Sequence, residues 1–147
     1  MKNNTNKLIY FEEYIPINGI SQYLFHCGTD YKNPVLLILH GGPGSAESIF
    51  SYTFQEKWEN IFTVVHWDQR GAGKSNTKIF SKDELKINNI VNDAISLIEI
   101  LRDRFKKNRI YLVGHSFGSL IGIILSQKIP QYIKDRYICL YILRYLL

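Results

Sequence analysis

Polar and apolar positions along the 147-residue chain follow two periods. Val35 to Leu39 is an uninterrupted apolar run, Ile61 to Trp67 is largely apolar, and "RIYLVG" (Arg109 to Gly114) closes a third such stretch. Each runs into a glycine-bearing loop. Short runs of aliphatic and β-branched residues without polar alternation fit strands covered on both faces, as in a parallel sheet. Between the second and third runs the period changes. Ile87, Ile90, Val91, Ala94, Leu97, Ile98, Leu101 and Phe105 recur at helical spacing, behind a capping-box pattern at Ser81 to Glu84. "FGSLIGIILSQKI" (Phe117 to Ile129) predicts a helix stopped by Pro130. "SAESIFSYTFQEKWEN" (Ser45 to Asn60) predicts a helix capped by Ser45. Ahead of these, "KLIYFEEYIPINGISQYLFHCG" (Lys7 to Gly28) predicts two short strands joined at the "ING" turn.

Strand–helix alternation of this kind predicts an α/β fold, a mostly parallel sheet flanked by helices. No repeat or linker divides it, so residues 1–147 read as part of a single domain. From about residue 136 the chain departs from the pattern. "YICLYILRYLL", from Tyr137, is apolar with no turn signal, cap or following helix. It reads as an atypical tail or one further strand, and a strand ending there would present a hydrophobic edge of the sort natural proteins cover.

Composition changes this picture little. Hydrophobic residues make up 46% and charged residues 21%, the balance of a soluble globular protein. The net charge of +5 is spread along the chain. Short clusters interrupt it, such as "RDRFKKNR" at Arg102 to Arg109, which lies at a predicted helix C-terminus, where positive charge complements the helix dipole. Nucleic-acid binding is therefore not expected. Cys27 and Cys139 lie in no metal or redox spacing and read as thiols in a reducing compartment. No signal-type or membrane-length apolar run occurs, so a soluble, cytoplasmic protein without membrane contact is expected.

The chemistry concentrates in the three loops at the carboxyl ends of the buried runs, where open α/β sheets form their sites. "GHSFGS" holds Gly114, Ser116 and Gly118 as G-x-S-x-G between a buried strand and an apolar helix. That context suits a strained turn presenting a nucleophilic serine, and the amide after the serine suits a developing oxyanion. The plainer alternative is a strand-to-helix turn with a capping serine. "HGGPG" (His40, Gly41, Gly42, Pro43, Gly44) is either a turn or the source of a second oxyanion donor. "DQRGAGKS" invites a phosphate-loop reading, but G-x-x-x-x-G-K-[ST] would need glycine where Asp68 stands. A sharp structural turn pinned by Asp68 and Arg70 fits better.

Together "HGGPG", "DQRGAGKS" and "GHSFGS", in that order, resemble the α/β-hydrolase superfamily. More narrowly they are similar to the proline iminopeptidase branch of serine aminopeptidases, over about Lys7 to Tyr132. The resemblance implies Ser116 as nucleophile, the amides of Gly42 and Phe117 as oxyanion hole, and His40 as a loop-ordering histidine. It implies a small peptide or acyl substrate and no cofactor or metal. It also implies a cap, a triad carboxylate and a triad histidine after the elbow helix. Past Ser116 this sequence has no histidine, and its only acidic residue is Asp135. The expectation is therefore a truncated form lacking the cap and C-terminal strands, inactive alone and prone to self-association through an open sheet edge beside the elbow strand. Alternatives remain: a working hydrolase whose base comes from another chain or an unusual histidine, an esterase- or amidase-type α/β-hydrolase, or a non-enzymatic binding protein on the same fold.

Overall fold

The computed structural model describes residues 9–53 and 55–139. Strands β1 (Ile9–Ile17) and β2 (Ile20–Gly28) form an antiparallel hairpin. Asn18 and Gly19 turn it with φ of 48° and 80°, the left-handed pair that matches strand twist. Strands β3 (Val35–Leu39), β4 (Thr63–Trp67), β5 (Ile110–His115) and β6 (Ile133–Cys139) run parallel to one another, and β2 joins them antiparallel to β4. The order across the six-stranded sheet is β1-β2-β4-β3-β5-β6.

The helices α1 (Ile87–Arg104) and α2 (Phe117–Lys128) pack on one face. There Leu37, Leu39, Val65 and Trp67 meet Val91, Ala94, Leu97, Ile98 and Leu101 of α1 and Ile121 and Leu125 of α2. On the opposite face Phe25, Leu36, Ile38 and Val64 form a smaller cluster edged by Trp58, Phe62, Tyr111 and Val113. Burial on both faces explains why β3 reads as continuous apolar sequence: every residue of it is buried.

Three expectations change. Ser45 to Asn60 holds short 3-10 helices, Ser48–Thr53 and Gln55–Lys57, instead of an α-helix capped by Ser45. Its apolar side chains form no stripe: Ile49, Phe50 and Tyr52 are exposed while Ser51 is buried, so no amphipathic face drives a regular helix. The capping box does form. Ser81 N–H donates to Glu84 Oε2 at 2.9 Å and Glu84 N–H to Ser81 Oγ at 3.2 Å. It closes a turn that precedes α1, which begins at Ile87 and is tied to that turn by Asn89. Finally, β5 is not open beside the elbow. Residues 133–139 supply the next parallel strand, with Val113 opposite Tyr137, so among the described residues β6 is the outermost strand on that side. Of the atypical tail, residues 140–147 lie outside the described residues. Among the described residues no helix is long and apolar enough to cross a membrane.

Candidate active site

Strands β4, β3 and β5 are adjacent and parallel, so their three loops emerge along one edge of the sheet. Ser116 stands between β5 and α2 with φ 51° and ψ −116°, a backbone conformation costing about 1–3 kcal/mol for a non-glycine residue. Close backbone contact holds it there. A methyl group on Gly114 would lie 2.6 Å from the Gly118 carbonyl oxygen, and one on Gly118 would overlap the Leu39 carbonyl oxygen. Both outer positions of G-x-S-x-G must therefore be glycine. Ser119 closes the turn, its N–H donating to Ser116 O at 2.9 Å and its hydroxyl to Gly114 O at 2.8 Å.

The glycine loop after β3 lies against this elbow. A methyl on Gly41 would be 3.2 Å from Ser116 Cβ and 3.1 Å from His115 Nδ1. Gly42 has φ 116°, and a side chain there would strike Gly44 N at 2.5 Å. Pro43 follows across a cis peptide bond. His40 orders this loop from below. Gln69 N–H donates to His40 Nε2 at 3.0 Å, which assigns the proton to Nδ1, and Nδ1 donates to Gly41 O at 2.8 Å. Burial holds the ring below its ordinary pKa and hence neutral. The Gly41 carbonyl and the Gly42 N–H belong to one planar peptide and point opposite ways. By drawing that carbonyl inward, His40 turns the Gly42 amide away from itself.

The third loop is structural. Asp68 Oδ2 accepts from Lys74 N–H at 2.9 Å, and Ser75 Oγ donates to Asp68 O at 2.5 Å. A side chain on Gly73 would collide with the Asp68 carboxylate. The lysine of "GAGKS" pairs with Glu12 at 2.7 Å, so the segment is a turn wound on Asp68 and not a phosphate cradle. Arg70 is buried against Asp93 of α1, with Nε to Oδ2 at 2.5 Å and Nη2 to Oδ1 at 2.6 Å. Among the described residues no three His, Cys, Asp or Glu side chains converge as metal ligands.

All four histidines fall within the described residues. His26 is fully buried and bonded to Glu13 at 2.8 Å. His66 is buried on β4, and burial pushes it down to about 4. His40 has both ring nitrogens engaged. His115 is exposed, with Nδ1 on Glu47 Oε1 at 2.5 Å. Sequence reasoning missed Gln69, Asp93 and Glu47. Gln69 lies inside the quoted "DQRG" motif, a position that signals a role, whereas nothing in the pattern marks Glu47 or Asp93.

These features define an α/β hydrolase, and the chain belongs to that family: residues 34–136 match the alpha/beta hydrolase fold. It is 40% identical over 125 residues to the probable aminopeptidase YbaC of Bacillus subtilis (strain 168), covering 85% of this chain and 39% of that protein. It is 27% identical over 125 residues to the proline iminopeptidase of Lactobacillus delbrueckii subsp. bulgaricus, covering 84% of this chain and 41% of the relative. Among solved structures, a Vigna radiata epoxide hydrolase mutant superposes with a TM-score of 0.72 at 27% identity, covering 88% of this chain and 38% of that one. The chain thus spans about two fifths of the length of the curated relatives it matches.

Proposed function

We propose that Ser116 is the nucleophile of an acyl-transfer hydrolase of the serine aminopeptidase type, acting on small peptides or related acyl compounds through an acyl-enzyme. The observation that carries this reading is the strained Ser116 backbone, locked by glycine contacts at a helix N-terminus and facing the His40–Gly44 loop. The amides of Phe117 and Gly42 supply the oxyanion hole. Phe117 begins α2, where amides lack intrahelical partners. Gly42 sits in the peptide that His40 orients. The relatives named aminopeptidase and proline iminopeptidase support a substrate with a free amino terminus.

An epoxide substrate suits a serine poorly. Ring opening by a hydroxyl would leave an alkyl ether on Ser116, which water does not cleave under mild conditions. An ester or amide carbonyl instead gives an acyl-serine that water can hydrolyse. Neither step needs a metal or organic cofactor.

The 147-residue chain alone is a slow catalyst in this reading. His26 and His66 are buried, His40 is doubly engaged, and His115, whose Nδ1 lies on Glu47, makes no hydrogen bond to the Ser116 hydroxyl. None stands as the base that a serine requires, and loss of that base costs on the order of 10⁴- to 10⁶-fold in rate. The carboxylate and histidine that complete the triad belong, in this reading, to sequence outside the part aligned with the relatives. A reducing, cytoplasmic setting is part of the same proposal, and the Cys27 thiol suits it, buried and pushed up to about 12.

Added imidazole tests this directly. A small base that fills the vacant role should speed p-nitrophenyl ester hydrolysis and fluorophosphonate labelling saturably, with the adduct mapping to Ser116. Ser116→Ala should abolish both. Labelling at other residues only, or an imidazole response retained by Ser116→Ala, would refute the assignment.

A further inference from the structure

We propose that Glu47 is a positioning residue for the oxyanion side of the Ser116 site, holding the Gly41 amide and the His115 imidazole with one carboxylate oxygen. The inference rests on the reading of Ser116 as an acyl-transfer nucleophile.

Gly41 joins two peptide planes. The plane after it, which carries the Gly42 N–H, is fixed by His40 Nδ1 at the Gly41 carbonyl. The plane before it ends in the Gly41 N–H, which donates to Glu47 Oε1 at 3.2 Å. Consecutive glycines impose little conformational preference of their own. A Gly41–Gly42 pair held at one plane alone could rotate about the other, carrying the Gly42 amide off its line. Glu47 supplies the second point of attachment.

The same oxygen also accepts from His115 Nδ1 at 2.5 Å. His115 ends β5 and directly precedes Ser116. One carboxylate oxygen therefore spans the glycine loop after β3 and the nucleophile elbow after β5, the two loops that must keep a fixed separation for an oxyanion hole. Their contact is already close, since Gly41 backs onto both Ser116 and His115. Glu47 is itself anchored, its carbonyl accepting from Phe50 N–H at 2.9 Å at the entry to the first 3-10 helix. Its side chain is 22% exposed, sheltered enough for these bonds to be stronger than in open water. It belongs to neither apolar cluster, so its removal uncovers no core. The effect of losing it should fall on the reaction and little on the fold.

The experiment measures the second-order rate of Ser116 modification by a fluorophosphonate, at saturating imidazole, on the full 147-residue chain. Removing an oxyanion donor outright costs on the order of 10²- to 10³-fold, and misplacing one costs less. Glu47→Ala should slow labelling by about 10- to 100-fold with an unchanged melting temperature. Glu47→Gln, which keeps an acceptor oxygen for the Gly41 amide, should recover at least about a third of the wild-type rate. A purely structural residue would show no such split between Ala and Gln at equal stability. If Glu47→Ala proves unstable, the folded Glu47→Gln variant decides: a rate as low as about 1% of wild type contradicts the positioning role. A labelled wild type whose rate ignores Glu47→Ala overturns this inference alone. An unlabelled wild type overturns the nucleophile reading and this inference with it.

Discussion

Asp93 ties four parts of the fold together and is fully buried. It accepts two bonds from Arg70, one from Gln22 Nε2 at 2.7 Å and one from Asn18 Nδ2 at 2.8 Å. Gln22 in turn accepts from the Trp67 indole at 2.8 Å. The hairpin turn, β2, the loop after β4 and α1 thus share one network. Replacing Asp93 with alanine leaves the Arg70 guanidinium, 8% exposed, without its counter-charge. Breaking a buried pair in this way costs about 3–5 kcal/mol. Gln22 would lose one acceptor, adding about 1 kcal/mol, while exposed Asn18 can turn to water. A loss of about 4–6 kcal/mol is a large share of the roughly 5–15 kcal/mol by which domains are stable. At roughly 2–4 °C per kcal/mol for a chain near this size, the melting temperature should fall by about 8–24 °C. Urea unfolding followed by tryptophan fluorescence measures the free-energy loss and thermal unfolding the melting temperature, because Trp67 reports from inside the network. The double variant Arg70→Met/Asp93→Leu should be more stable than Asp93→Ala, since no charge remains buried. A cost below about 1 kcal/mol for Asp93→Ala, or a double variant no better than the single, would refute the account.

Three further outcomes follow from the same structure. Gly118→Ala forces a methyl into the Leu39 carbonyl and within 2.8 Å of His40 O, so soluble yield should collapse; Ser119→Ala, losing one bond to Gly114 O, should cost only about 1 kcal/mol in melting experiments. Stability should fall with acid. His66 is held down to about 4 against its ordinary 6.5, so the unfolded chain binds a proton that the folded chain refuses. The His66 share of this stability is present above about pH 6.5 and lost as pH falls towards 4, by about 3 kcal/mol in total; His66→Leu should lessen the fall of urea midpoints over that window without abolishing it, because burial also holds His26 and His40 below their ordinary values, and a wild-type profile level from pH 7 to 4.5 contradicts this. We also propose that the chain self-associates through its sheet edges, now β6 and β1, where Tyr10 and Tyr14 are 60% and 54% exposed; sedimentation coefficients rising with concentration would support it, and a constant monomer value would not.

Some of this was legible in the sequence because it depends on local rules. The bounds of β3 at Val35 and Leu39 follow from burial on both faces, which leaves no polar residue in the run. The elbow was legible because Gly114, Ser116 and Gly118 lie within one turn, and contact between neighbouring backbones dictates glycine. Ser45 to Asn60 misled because its aromatic and aliphatic residues suggest a buried helix, whereas Ile49, Phe50 and Tyr52 face outward. Asp93 and Glu47 could not be read at all. Each matters through a partner distant in sequence, Arg70 for the first and His115 for the second, and only the fold brings those pairs together.

The same distinction separates how Ser116 is presented from how it is activated. Presentation is made by backbone contact within the described residues: Gly118 against Leu39, Gly41 against Ser116, and His40 and Glu47 at either side of Gly41. None of these contacts uses a side chain that titrates near neutrality in order to react. Activation needs a proton acceptor beside the hydroxyl, and no described histidine is hydrogen-bonded to Ser116: three are buried, and exposed His115 is turned to Glu47. A preformed but unactivated serine should respond to an added base saturably, with a rise that depends on that base's pKa. A disordered elbow should not respond at all, which is why imidazole separates the two.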